Sequence, residues 1–192
     1  MNEVLTRSVE KQNKARAILA ELDLPGRWRR VGEPVVVGAV NYGLVVARDI
    51  DMEIYADEPT IEQGFSVMAE VARLPRVWQV MFVNELAGPD QGLYFKIVYR
   101  DDTGEEWKID QWLVGHDHPD AHWCEKFARA IGAVLTDDSR RAILEIKEAL
   151  HDEGVRGIDV YRGVIEGGVT TPLEFKAWQK SNPPDGMCHW MP

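Results

Sequence analysis

Val35-Val36-Val37-Gly38-Ala39-Val40-Asn41-Tyr42-Gly43-Leu44-Val45-Val46-Ala47-Arg48-Asp49-Ile50-Asp51-Met52-Glu53-Ile54-Tyr55 is the stretch from which the rest of the chain is best understood. It opens on an apolar run, Val35–Val37, that ends in Gly38, the pattern of a strand buried on both faces. A second strand follows with a different alternation. Asp49, Asp51, Glu53 and Tyr55 share one face, and Ile50, Met52 and Ile54 share the other. Three carboxylates are thereby predicted on one side of a strand whose other side is core. Side chains two apart on a strand stand ~7 Å from each other, and like charges at that range beside a low-dielectric core raise one another's pKa unless a cation compensates. Hard carboxylate oxygens suit Mg²⁺ or Mn²⁺. An isolated Asp-x-Asp-x-Glu has a second reading, a solvated face at a sheet edge protected by its charge.

The Gly38-Ala39 turn after an apolar strand, followed ten residues later by Asp49-Ile50-Asp51 with apolar flanks, resembles the nucleotidyltransferase superfamily over about residues 31–114. Within that superfamily the likeness is to small antibiotic nucleotidyltransferases of the lincosamide and aminoglycoside kind. Ala39 departs from the pattern, standing where Ser or Gly is usual and so lacking a hydroxyl expected at the nucleotide phosphates. Asp51-Met52-Glu53 fits the spacing nearly as well as Asp49-Ile50-Asp51, so the register of the carboxylate pair stays open. The resemblance implies catalytic, metal-holding carboxylates at Asp49 and Asp51. It implies a third at Asp110, the position that matches the carboxylate of a neighbouring strand. It also implies a nucleotide-binding segment of Gly38, Ala39, Asn41, Tyr42 and Arg48, with a short helix after the Gly38 turn.

The 192 residues are enough for a sizeable core, and the 45% hydrophobic content is that of an ordinary globular protein. No apolar run approaches the ~20 residues of a membrane span, and residues 1–10 lack the pattern of a signal peptide. Two cysteines, Cys124 and Cys188, suggest no disulfide framework, and a reducing cytoplasm is the expected location. With 22 Lys plus Arg against 32 Asp plus Glu, the formal charge is −10. This argues against a nucleic-acid partner, whose affinity comes chiefly from clustered Lys and Arg, and suits an NTP and a neutral or cationic small-molecule acceptor. A homodimer is compatible with the sequence.

Around the central stretch, Ala15, Ile18, Leu19 and Leu22 space a helix over residues 3–22, stopped by Leu24-Pro25-Gly26. Arg27, Arg29 and Arg30 interleave with Trp28 in the next loop, either as a phosphate contact or as a solvated cluster whose Trp packs on that helix. Thr60 and Gln63 have capping-box spacing before a helix over 60–73 with an apolar stripe of Ile61, Phe65, Met68, Ala69 and Ala72. Residues 77–83, 93–100 and 105–114 read as an antiparallel meander turned by Asp101-Asp102-Thr103-Gly104. Asp110 lies on the third strand among Lys108, Trp112 and Val114, where an acid is costly to bury without a partner. It is either a metal ligand or general base, or the ion-pair partner of Lys96 or Lys108.

From about residue 119 the pattern is helical: Trp123, Phe127, Ile131 and Leu135; Ile143, Ile146 and Leu150; Ile158, Tyr161 and Ile165; and a helix starting at Thr171-Pro172-Leu173-Glu174. The tail from Ser181 reads as irregular. His116, His118, His122 and Cys124 invite a zinc reading, but their spacing matches no Cys/His template; a polar loop with Asp120 as N-cap accounts for them. The expected architecture is α+β: a nucleotidyltransferase-like mixed sheet with flanking helices over 1–118, a helical region over 119–180 and an irregular tail over 181–192. The expected activity is metal-dependent transfer of a nucleoside monophosphate from an NTP to a hydroxyl. A non-catalytic module that binds a nucleotide or a protein partner and a zinc-binding regulator are the alternatives.

Overall fold

The computed structural model describes residues 3–183 and 189–192; Cys188 and residues 184–187 of the tail expected to be irregular lie outside them. The architecture is α+β. Five strands form one mixed sheet in the order β1-β2-β5-β4-β3, from β1 (Glu33–Val37), β2 (Asp49–Ala56), β3 (Val77–Asn84), β4 (Gly92–Arg100) and β5 (Glu106–Gly115). β3, β4 and β5 are the expected antiparallel meander. β2 pairs parallel with β5, and β1 closes the sheet antiparallel to β2.

One face of the sheet is the main core. Ile50, Met52 and Ile54 of β2 and Ile109 and Leu113 of β5 are at most 1% exposed. They pack under α1 (Glu3–Glu21), α2 (Leu24–Trp28) and α4 (Ile61–Val71). Gly64 of α4 lets that helix touch the sheet: a Cβ there would fall 2.2 Å from the Phe95 ring. The C-terminal helices α5 (Trp123–Val134), α6 (Asp137–Ala149), α7 (Gly157–Ile165) and α8 (Pro172–Ser181) build a second core. That core recruits Val4 of α1 and Leu44 and Val46 from the segment before β2. Capping boxes open α4 at Thr60 and α8 at Thr171.

Four sequence expectations differ from the structure. β1 is an edge strand with mostly half-buried residues, not a strand buried on both faces. Pro34, which has no N–H to donate, belongs at such an edge. Pro25 does not end the helical path. Asp23, in a left-handed conformation, breaks it, and Pro25 sits in the first turn of α2, where its missing N–H costs nothing. The buried residues of α4 are Gly64, Val67, Met68 and Val71 rather than the stripe through Phe65; Phe65 is 44% exposed and touches the core edge-on through Phe82 and Phe95. The N-cap of α5 is His122, not Asp120, because the Asp120 carboxylate is taken by His189 Nε2 at 2.7 Å.

Candidate active site

The other face of β2 and β5 carries the acids. Alternation puts Asp49 and Asp51 on it, and the parallel register sets Asp51 beside Asp110. One oxygen from each of Asp49, Asp51 and Asp110 lies within 4.8 Å of the others, and no other His, Cys, Asp or Glu cluster among the described residues meets that geometry. Glu53, the alternative in the register, is bonded elsewhere: it accepts from the Tyr55 hydroxyl and from Cys124 Sγ, the latter at 3.3 Å.

The cluster is electrostatically unfinished. Asp49 Oδ1 is buried with no hydrogen-bond partner, a costly state for a carboxylate oxygen. Burial, then the charges of Asp49 and Asp110, push the Asp51 carboxyl up to about 7. Burial and then Asp110 raise Asp49 as well. Asp110 is the best served of the three: Tyr94 donates its hydroxyl to Oδ1 at 2.5 Å, and Lys96 Nζ stands 3.9 Å away. The Lys96 pairing and the place in the carboxylate cluster therefore coexist. Three hard oxygen donors with a deficit of positive charge fit a divalent cation of the Mg²⁺ or Mn²⁺ type.

Gly38 fits against this cluster for two reasons. Its φ of 66° is in the left-handed region, and a Cβ would fall 2.2 Å from Asp51 Oδ2. The short helix α3 (Gly38–Tyr42) follows the turn. Gly38, Ala39 and Tyr42 join Asp49 and Asp51 in the wall of a cavity of about 360 Å³. Asn41 is exposed and outside that wall, and the exposed Arg48 is paired with Glu105. Arg27 and Arg30 are spoken for by Glu70 at 2.7 and 2.8 Å, and buried Trp28 donates Nε1 to Gln111 Oε1 at 2.6 Å.

The far wall comes from the helical half: Trp123, Phe127, Lys147, His151 and Tyr161. None of these was singled out for the site from the sequence. Lys147 carries a legible signal, since Ile143, Ile146, Lys147 and Leu150 share one helical stripe and a lysine on an apolar stripe needs a partner. Its Nζ donates to the Leu44 carbonyl at 2.6 Å and to the Tyr161 hydroxyl at 3.2 Å. Arg140 donates to the carbonyls of Tyr42 and Gly43, Lys11 to that of Val46 and Gln12 to that of Val40. Four side chains from α1 and α6 thus hold the backbone between the Gly38 turn and the carboxylate strand.

No protein-family model and no curated protein sequence matches the chain. Solved structures do. The Cid1 poly(U) polymerase with bound MgGTP superposes with a TM-score of 0.53 at 15% identity, over 74% of this chain and 43% of that one. A cytoplasmic RNA terminal U-transferase gives 0.51 at 16% identity, over 78% and 45%. The CdnC:HORMA-deltaN complex of E. coli gives 0.54 at 12% identity, over 93% of this chain and 70% of that one. The chain spans less than half the length of the first two. At these identities the likeness is one of architecture: the five-stranded mixed sheet and its flanking helices share the fold of these solved structures.

Proposed function

We propose that the protein is a metal-dependent nucleotidyltransferase, with Asp49, Asp51 and Asp110 as its catalytic and metal-holding carboxylates. The observation that carries this reading is the three-carboxylate cluster with a buried, unpartnered oxygen on Asp49. A divalent cation held there would neutralise charge on the transferring phosphoryl group and lower the pKa of an oxygen bound to it. The residues of the chain supply the rest. The cavity beside Gly38, Ala39 and Tyr42 receives the NTP, with the aromatic rings of the helical wall beside it. Asp110, oriented by the Tyr94 hydroxyl, accepts the proton of the acceptor hydroxyl. That oxygen forms the new bond to the α-phosphorus, and the bond from phosphorus to pyrophosphate breaks. Positioning and charge neutralisation account for the rate.

The acceptor is a small hydroxyl-bearing molecule, in keeping with the formal charge of −10; its likeness to antibiotics rests on the sequence resemblance alone. Ala39 favours one other reading, a nucleotide-binding module without transfer, because a methyl group stands in the cavity wall where a hydroxyl is usual. Calorimetric titration with ATP, GTP, CTP and UTP, each with Mg²⁺, tests the site against the Asp49→Asn/Asp51→Asn double variant. Metal-dependent binding lost in the variant is expected; NTP binding without transfer to any acceptor would favour the module. No binding of any nucleotide would reject both.

A further inference from the structure

The acid-bearing face of the sheet continues past the carboxylates. Glu53 and Trp112 are the next facing pair on β2 and β5 after Asp51 and Asp110 along this face, and Tyr55 and Val114 are the pair after that. All four line a second cavity, of about 300 Å³, which begins ~7 Å along the strands from the carboxylate cluster. Trp123 lines both cavities.

The chemistry of this second cavity differs from that of the first. It has carboxylates from Glu53, Asp90 and Asp120 and ring surface from Tyr55, Trp112 and Trp123, and no Lys or Arg among its described lining residues. Glu53 is half-buried and bonded by neutral donors only, the Tyr55 hydroxyl and Cys124 Sγ; no Lys or Arg is paired with it among the described residues. The His118 ring is engaged on both sides: Nδ1 lies 3.1 Å from the Asp120 N–H and Nε2 lies 3.0 Å from the Asp90 carbonyl. Asp120 meets His189 at 2.7 Å. A partly desolvated carboxylate without a counter-ion, beside aromatic rings, matches an organic cation, which gains from both. A phosphate group would meet carboxylates and neither Lys nor Arg among the described lining residues, so a nucleic-acid strand fits poorly.

We propose that the cavity bounded by Glu53, Trp112, Tyr55 and Trp123 binds a compact organic cation, an amine-bearing molecule small enough for about 300 Å³, and that it is the acceptor side of the site. The acceptor role rests on the nucleotidyl transfer proposed above; the binding of a cation does not.

The test is therefore run without NTP or metal. Choline and tyramine are titrated by calorimetry and by tryptophan fluorescence, each against an uncharged carbon isostere, 3,3-dimethylbutanol for choline and 4-propylphenol for tyramine. At least one cation is expected to bind about tenfold or more tightly than its isostere. Glu53→Gln and Trp112→Leu should each remove most of that preference, and Asp49→Asn should leave it unchanged. Equal binding of cation and isostere, or none by either cation, overturns the proposal, and this comparison needs only the wild-type protein. Displacement of the cation by a single-stranded oligouridylate would place a nucleic acid there and overturns it too. Mg²⁺-dependent NTP binding without cation preference would sink this inference and leave the proposed function standing; cation preference without NTP binding would do the reverse.

Discussion

The two faces of β2 and β5 are made by the same residues in alternation, yet they follow opposite rules. On the helix-covered face, Ile50, Met52, Ile54, Ile109 and Leu113 are essentially dry. The one polar residue among them, Gln111, is uncharged and satisfied on one side only: its Oε1 accepts from Trp28, and its Nε2 has no partner. On the other face, three carboxylates crowd within 4.8 Å and one of their buried oxygens is orphaned. A neutral orphan is a modest cost tolerated for packing. A cluster of like charges costs far more, and calls for a compensating cation.

That contrast is open to attack by substitution. The largest effect should come from Asp51→Asn. Metal-dependent nucleotide transfer, followed with labelled NTP, is expected to fall at least about a hundredfold, while the metal-free protein melts at a higher temperature than wild type. A variant that melts lower and still transfers would erase the distinction between the faces. Met52→Ala, one residue along and on the dry face, should do the opposite. A loss of about 2–4 kcal/mol would lower the melting temperature by roughly 5–12 °C. Mg²⁺-dependent nucleotide binding below the transition should stay intact.

A pH series sharpens the comparison further. The Asp51 carboxyl is raised in the folded chain to about 7 from an ordinary 3.8, so between these values the native state holds more protons than the unfolded one. The contribution of Asp51 to stability is then greatest at low pH and is lost as pH rises through about 7. The gap in stability between Asp51→Asn and wild type should widen over that window, by an amount on the order of a few kcal/mol at its end. Added Mg²⁺ should narrow it at pH 8 more than at pH 5. A gap that stays flat with pH would show that neither burial nor the neighbouring carboxylates raise Asp51. The smallest effect is expected for Gln111→Leu, which removes the orphaned amide and the Trp28 bond together. Because it leaves the buried Trp28 Nε1–H without an acceptor, denaturant unfolding should place it about 1–2 kcal/mol below wild type.

Much of this was legible in the sequence because it depends on local periodicity. The alternation of 49–55 put the acids on one face and the core on the other, the spacing to Gly38 identified the turn, and Thr60 and Thr171 announced their helices. What escaped was set by contacts distant in sequence. The dry side of α4 depended on Gly64 meeting Phe95, which no period within the helix reveals. The start of α5 depended on Asp120 being claimed by His189. The far wall of the cavity, with Lys147 and Tyr161, comes from a helical half whose stripes mark core equally well. Asn41 and Arg48 were tied to the nucleotide by their place in a motif, and the structure puts them at the surface.

The grip of Arg140 and Lys147 on the carbonyls of Tyr42, Gly43 and Leu44 spans about a hundred positions of chain. During synthesis the Gly38 turn and both strands of the carboxylate cluster leave the ribosome well before those two cations exist. Lys11 and Gln12 of α1 can hold Val46 and Val40 from the outset, but the set of four is complete only when α6 emerges, so the cavity is among the last parts of the molecule to take shape. A nascent chain halted before Lys147 carries every acid of the site and lacks the clasp that sets them against the turn.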